Sequence, residues 1–221
     1  MDAQKNNSHY CEWLLAIQSD MINSIIAVDT ILFLEKDNGF VKRYFSIFWS
    51  RIFWQQLILS VSRLLDGDKR TMSLSRLFSG LREDDNFKGD NNFESAYIHF
   101  KNFKDKWNKQ LKQIKVLRDK FYAHVDKDIE KVLPSLFIDP DCITIDNYKD
   151  TIEELASIIL KISEIVISKM QSAKGCDKLI MQSDLESKRR QYVSALAKIN
   201  HMANFCVALE KLVTNICADH F

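Results

Sequence analysis

FESAYIHFKNFKDKWNKQLKQIKVLRDKF, Phe93 to Phe121, carries Phe93, Tyr97, Phe100, Phe103, Trp107, Leu111, Ile114, Leu117 and Phe121 in unbroken steps of three and four. That step puts all of them on one face of an α-helix. The stripe therefore predicts one helix of about 30 residues, or two nearly collinear ones, and it sets the expectation for the rest of the chain.

Working outward, the same periodicity recurs. Residues 8 to 36 carry Leu14, Ile17, Met21, Ile25, Val28 and Leu32 on one face. The next segment, 41 to 65, is apolar almost all round, from Phe45 to Leu64, and a helix without a polar face is expected at the centre of a bundle. Gly67 ends it, and Ser73 can cap a short helix reaching about Leu81. REDDNFKGDNN reads as a polar loop. The stretch from 126 to 147 holds both prolines, Pro134 and Pro140, and alternates weakly at CITID, so it reads as a loop with room for one short strand. Ile152, Leu155, Ile159, Ile162 and Val166 define a further helix ending before Gly175. A last one, about 184 to 218, carries Tyr192, Ala195, Ile199, Met202, Cys206, Leu209, Val213 and Ile216. The heptad step of these last two suits pairing with each other or with a partner's helices.

Composition agrees with this reading. Five Gly and two Pro in 221 residues are too few for the turns of a sandwich or barrel, and the 46% hydrophobic, 28% charged balance is that of a folded protein. The expected fold is an all-α, up-and-down bundle of about five long helices plus one short one. It forms a single domain over 1–221, with a core at about 10–170. Lys plus Arg is 31 against 30 Asp plus Glu, so any basic site is local. The five cysteines, Cys11, Cys142, Cys176, Cys206 and Cys217, form no CxxC pair, which disfavours a zinc site and a disulfide framework, and Cys206 and Cys217 read as small core residues. With no signal segment and no uncharged apolar run of membrane length, the expectation is a cytoplasmic protein with no membrane partner.

Phosphate-cradling loops of the GxxxxGK[ST] and GxGxxG kinds, GxSxG and HExxH are all absent, and no His follows a Glu by three residues as di-iron bundles need. No metal site and no cofactor are therefore expected. What remains is KQIKVLRDKFYAHVD, 112 to 126, with Arg118 and His124 separated by five residues and Asp119 directly after the arginine. Imidazole can move a proton and guanidinium can hold a phosphate by two parallel hydrogen bonds, so the pair suits metal-free cleavage of RNA by attack of the ribose 2′-hydroxyl on its own phosphate. Chance alone gives about 0.6 such spacings in a chain of this composition, so the pattern counts only with support from elsewhere.

A second segment supplies that support. LRDKFYAHVD resembles the R-x(4 to 6)-H motif of the HEPN superfamily, in particular its abortive-infection, AbiU-like branch. SRLLDGDKRTMSLSRL, Ser62 to Leu77, is similar to the segment joining the second helix to a short helix in that branch. The resemblance covers about 10 to 170. It implies a helical ribonuclease, acting in phage defence or as a toxin, in which Arg118 steadies the phosphate, His124 is the general acid or base and Asp119 orients one of them. It also implies a homodimer with two motifs facing across an RNA cleft, and a possible antitoxin or other protein partner. The ending Ala123, His124, Asp126 is typical of a branch in which membership does not guarantee cleavage.

Other readings stay open beside this one. His124 continues the stripe Leu117, Phe121, which fits a buried helix-end histidine, and Arg118 lies about 120° away from it round an ideal helix. A non-catalytic interaction module keeping the motif as a latch, or an RNA-binding module without cleavage, are the alternatives. Residues 101 to 120 carry Lys101, Lys104, Lys106, Lys109, Lys112, Lys115, Arg118 and Lys120 against Asp105 and Asp119. Lys112, Lys115, Lys120 and Tyr122 are the expected RNA contacts, set against a plain solvated helix face. Arg63 and Asp66 are expected to pair locally at the end of the second helix. Trp49, Trp54 and Trp107 read as core, with base stacking open only to one that is exposed.

Overall fold

The computed structural model describes residues 2–36, 41–68, 71–122, 145–170 and 176–198. Among these every regular element is helical, as the periodicity predicts: α1 (Asp2–Lys36), α2 (Val41–Leu65), α3 (Leu74–Glu83), α4 (Asn91–Lys106), α5 (Asn108–Tyr122), α6 (Ile145–Lys169) and α7 (182–198), with a 3₁₀ turn at Cys176–Lys178. CITID contributes no strand among the described residues, because Ile145 and Asp146 already open α6.

Local chemistry sets the boundaries. Ser73 caps α3 by accepting the Arg76 N–H, and Asp90 caps α4 by accepting the Phe93 N–H at 2.9 Å. Each such cap is worth about 1 kcal/mol. The turn before Asp90 is more than a polar loop: Phe87 is fully buried, and Gly89 takes φ +74°, a conformation that suits glycine. The long stripe divides at Trp107. Its backbone N–H still bonds the Phe103 carbonyl and its own carbonyl accepts from Leu111, so the helical phase continues from α4 into α5.

α2 follows α1 after a short connection and packs along it, with Arg63 of α2 forming a two-pronged pair with Asp20 of α1. α6 packs on α1 and, antiparallel, on α4, where Lys169 meets Asp90 at one end and Glu154 meets Lys106 at the other. Of α2, expected at the centre, the side chains of 41–51 lie outside the described residues; it packs on α1, α3 and α5 and buries Leu57, Ile58, Val61 and Leu64, while α1 has α2, α3 and α6 as neighbours and α7 bonded along it. α1 buries Leu14, Ile17, Met21, Ile25, Val28 and Ile31. Its polar residues are satisfied inside: the Gln18 amide donates to Ser163 Oγ (3.0 Å) and the Ile180 carbonyl (2.9 Å), and accepts the Ile180 N–H (2.8 Å). Arg189 of α7 forks onto Asp29 and reaches Glu153 of α6, and Thr30 shares a hydrogen bond with Tyr192. These polar bonds tie α7 to α1, and Leu185 of α7 is buried in the core.

Two details bear on the sequence expectations. Cys11, fully buried in α1, is disulfide-bonded, a single bond rather than the framework that the cysteine spacing disfavours. Widely spaced cysteines give no spacing signal, so sequence cannot show which helices bring two of them together. His9–Leu34 is long and apolar enough to cross a membrane by length and composition, but 61% of its apolar window is buried in the bundle, as in the core helix of a folded domain. Cys206 and Cys217 lie outside the described residues.

Candidate functional site

α5 is amphipathic, and its inward side fixes its outward side. Ile114 and Leu117 are buried, and α5 packs on α2, so Arg118 is carried to the flank where α5 meets the end of α2. Its side chain is 31% exposed. Nε donates to Asp119 Oδ1 at 2.9 Å and Nη2 lies 2.8 Å from the same oxygen. On the other side Nη1 lies 3.7 Å from Oδ2 of Asp66, the residue directly after α2. The guanidinium thus sits between two carboxylates from two elements.

Donor arithmetic shows what this leaves. Arginine has five N–H groups in a fixed plane. Asp119 uses the side-on pair, Nε–H and the adjoining hydrogen of Nη2. Among the described residues the end-on pair, one hydrogen each on Nη1 and Nη2, makes no hydrogen bond, Asp66 standing 3.7 Å from Nη1, and this edge suits a phosphate in a two-pronged contact.

Asp66 is the residue that sequence reasoning assigned elsewhere. The expected local pair with Arg63 does not form: Arg63 turns to Asp20 and Asp66 to Arg118. Packing of α2 between α1 and α5 sends the two neighbours to opposite sides, which spacing along the sequence does not reveal. The signal that could have found it is position, since Asp66 lies within SRLLDGDKR, the segment that already supported the motif.

The expected RNA contacts are placed in part. Lys112 and Lys115 are exposed on α5, with no ion-pair partner among the described residues, and Lys101 and Lys104 continue on α4 at the matching helical phase. Lys101 and Lys104 stand over the rings of Tyr97 and Phe100. Lys120 and Tyr122 belong to α5, but their side chains, and all of His124, lie outside the described residues. Lys106 is diverted: Nζ bonds Glu154 Oε2 at 2.6 Å, an oxygen that also accepts from Trp107 Nε1 at 2.9 Å, while His99 Nε2 lies 3.6 Å from Oε1. Burial pushes the Glu154 carboxyl up, but the bonds from Lys106 and Trp107 outweigh it and hold the group below the usual glutamate range. Trp107 is therefore bound to α6, and Trp54 is half-buried edge-on to Tyr148, so neither is an open stacking platform. The side chain of Trp49 lies outside the described residues. Among the described residues no three His, Cys, Asp or Glu side chains cluster in a way that could hold a metal ion.

An all-α bundle that sets Arg118, the first residue of the Arg-x5-His sequence, beside the end of its second helix has the features expected of a HEPN-type domain. Residues 30–182, about two thirds of the chain, match the AbiU2 model of the HEPN group, and the chain belongs to that family. The match takes in the SRLLDGDKR turn, α4, α5 and α6, and stops where α7 begins. No curated protein and no solved structure matches the chain.

Proposed function

We propose that the protein is a metal-independent endoribonuclease of the HEPN type, serving abortive infection or acting as a toxin. The observation that carries this reading is the Arg118 guanidinium, placed at the end of α5 by buried neighbours, gripped side-on by Asp119 and with no hydrogen bond to its end-on pair of hydrogens among the described residues. In the proposed reaction His124 takes the proton of the ribose 2′-hydroxyl. The 2′-oxygen bonds phosphorus, the P–O5′ bond breaks, and the departing 5′-oxygen is protonated, leaving a 2′,3′-cyclic phosphate and a 5′-hydroxyl. Arg118 holds the phosphate and its developing charge, and Asp119 orients Arg118. Lys112, Lys115, Lys120 and Tyr122 draw in and seat the RNA. The working form is a homodimer in the cytoplasm, with two motifs facing one cleft and with an antitoxin or other protein partner holding it in check; no cofactor takes part.

The chemistry has its own test. A substrate carrying a single 2′-deoxynucleotide at the cleaved position should resist cutting there, and products of normal RNA should end in 2′,3′-cyclic phosphate. Cleavage of the deoxy-substituted site at the normal rate would rule this mechanism out. The interaction-module alternative draws on one observation, the ion pairing of Arg118 on both sides, which suits a latch. It predicts that Arg118→Ala lowers thermal stability and alters no RNA cleavage.

A further inference from the structure

Arg118 is held by two carboxylates of different kinds. Asp119 is its neighbour on the same helix and moves with it, so it fixes the side chain only relative to α5. Asp66 belongs to the turn after α2, and it is itself anchored: Oδ1 accepts the Asp68 N–H at 3.0 Å, which leaves Oδ2 for Arg118. The turn is closed further on by Thr71, whose N–H and hydroxyl both bond the Asp68 carbonyl, at 3.1 and 2.8 Å. One oxygen of Asp66 thus reads the turn and the other reads the guanidinium. A long, flexible arginine gains a defined rotation when charged partners on two elements bracket it, and that rotation decides where its remaining donors point.

We infer that Asp66 is a positioning residue for the Arg118 site, fixing the guanidinium so that its end-on edge is presented to an RNA phosphate. This rests on the reading of Arg118 as the phosphate-holding group. The Asp68 N–H then acts as the mount that holds Asp66 in place. The role is distinct from that of Asp119, because only Asp66 connects the arginine to a second helix.

The pair is a third exposed on both sides, so its loss should leave the fold intact, and Asp66→Asn, which keeps the shape and the bond to Asp68, guards against a collapsed turn. The experiment is a double-mutant cycle over Asp66→Ala, Arg118→Ala and both together, with Asp66→Asn alongside. Two quantities are read on the full chain: binding of a labelled 2′-O-methyl RNA oligonucleotide, which resists cleavage, and the kcat and KM of cleavage of the same sequence as RNA. Asp66→Ala should weaken oligonucleotide binding about threefold to tenfold and lower kcat about tenfold to a hundredfold, with melting temperature unchanged. In the Arg118→Ala background the same substitution should change neither quantity. Asp66→Asn should fall between wild type and Asp66→Ala. An Asp66→Ala effect that persists without Arg118, or wild-type binding and kcat in Asp66→Ala, overturns the inference. If the wild type binds the oligonucleotide with this coupling yet cuts no RNA, the ribonuclease reading fails while the positioning role of Asp66 stands. No binding by the wild type overturns both.

Discussion

Glu154 shows how much a single side chain on α6 decides. It accepts from Lys106 and Trp107, the two residues at the junction of α4 and α5, and so fixes the point at which the long stripe divides. Its carboxyl sits below the ordinary glutamate range despite partial burial, so ionised Glu154 contributes stability that is complete above the unfolded value, about pH 4.3, and is lost as pH falls through the lower folded value. Asp90, lowered chiefly by its bond from Lys169 and then by the Phe93 N–H, adds to the same acid limb. Melting curves should therefore show the wild type losing stability below about pH 4.3 more steeply than Glu154→Gln, with the two converging at low pH. Parallel curves would mean that the bonds to Lys106 and Trp107 are not formed in solution. At this scale the sequence was readable where a residue's role depends on its immediate neighbours. Asp119 beside Arg118 and Ser73 before α3 are such cases. It misled at Arg63 and Asp66, where three-dimensional packing chose the partners, and it held no hint of Glu154, whose donors lie on other helices.

Among the elements, α4 and α5 combine the most legible feature with the least. Apolar spacing alone showed which side faces inward, and Phe93, Phe100, Phe103, Ile114 and Leu117 are buried as the stripe requires. The division at Trp107 is a tertiary effect, a bond to α6, and periodicity passes across it unbroken. The opposite side of the same pair of helices presents Lys101, Lys104, Lys112 and Lys115 in nearly one line, leading to Arg118. If those lysines neutralise phosphates, each should add close to one unit to the salt dependence of RNA binding. Replacing Lys112 and Lys115 together by alanine should lower the slope of log K against log salt by about 1.4 to 1.8 without changing sequence preference. An unchanged slope would return these lysines to the role of a solvated helix face. Of CITID, Ile145 and Asp146 open α6, and Cys142, Ile143 and Thr144 lie outside the described residues.

At the level of the whole molecule, the all-α bundle followed from the scarcity of Gly and Pro and from stripes of step three and four, whereas the polar ties between its helices did not. α1 is covered by polar as well as apolar contacts, since Gln18, Asp29 and Thr30 on its polar positions bind Ile180, Arg189 and Tyr192. Hydrophobicity does not register a helix that is covered through polar bonds. The disulfide at Cys11 raises a second matter of the whole chain, since a reducing cytoplasm keeps thiols free. Purified without reductant, the protein should show fewer reactive thiols than its five cysteines on denaturation, and reductant should lower its melting temperature by on the order of 5–15 °C. Five reactive thiols in cells alkylated before lysis would keep the cytoplasmic assignment and make the bond a product of isolation. The proposed activity depends on the Arg118 site, and its most direct test is cleavage of total RNA by the purified chain in EDTA, beside Arg118→Ala and His124→Ala prepared identically. The wild type should cut, and each variant should be slower by about 10² to 10⁴ while melting at the wild-type temperature. Cleavage by both variants at the wild-type rate, or none by any of the three proteins, would contradict it.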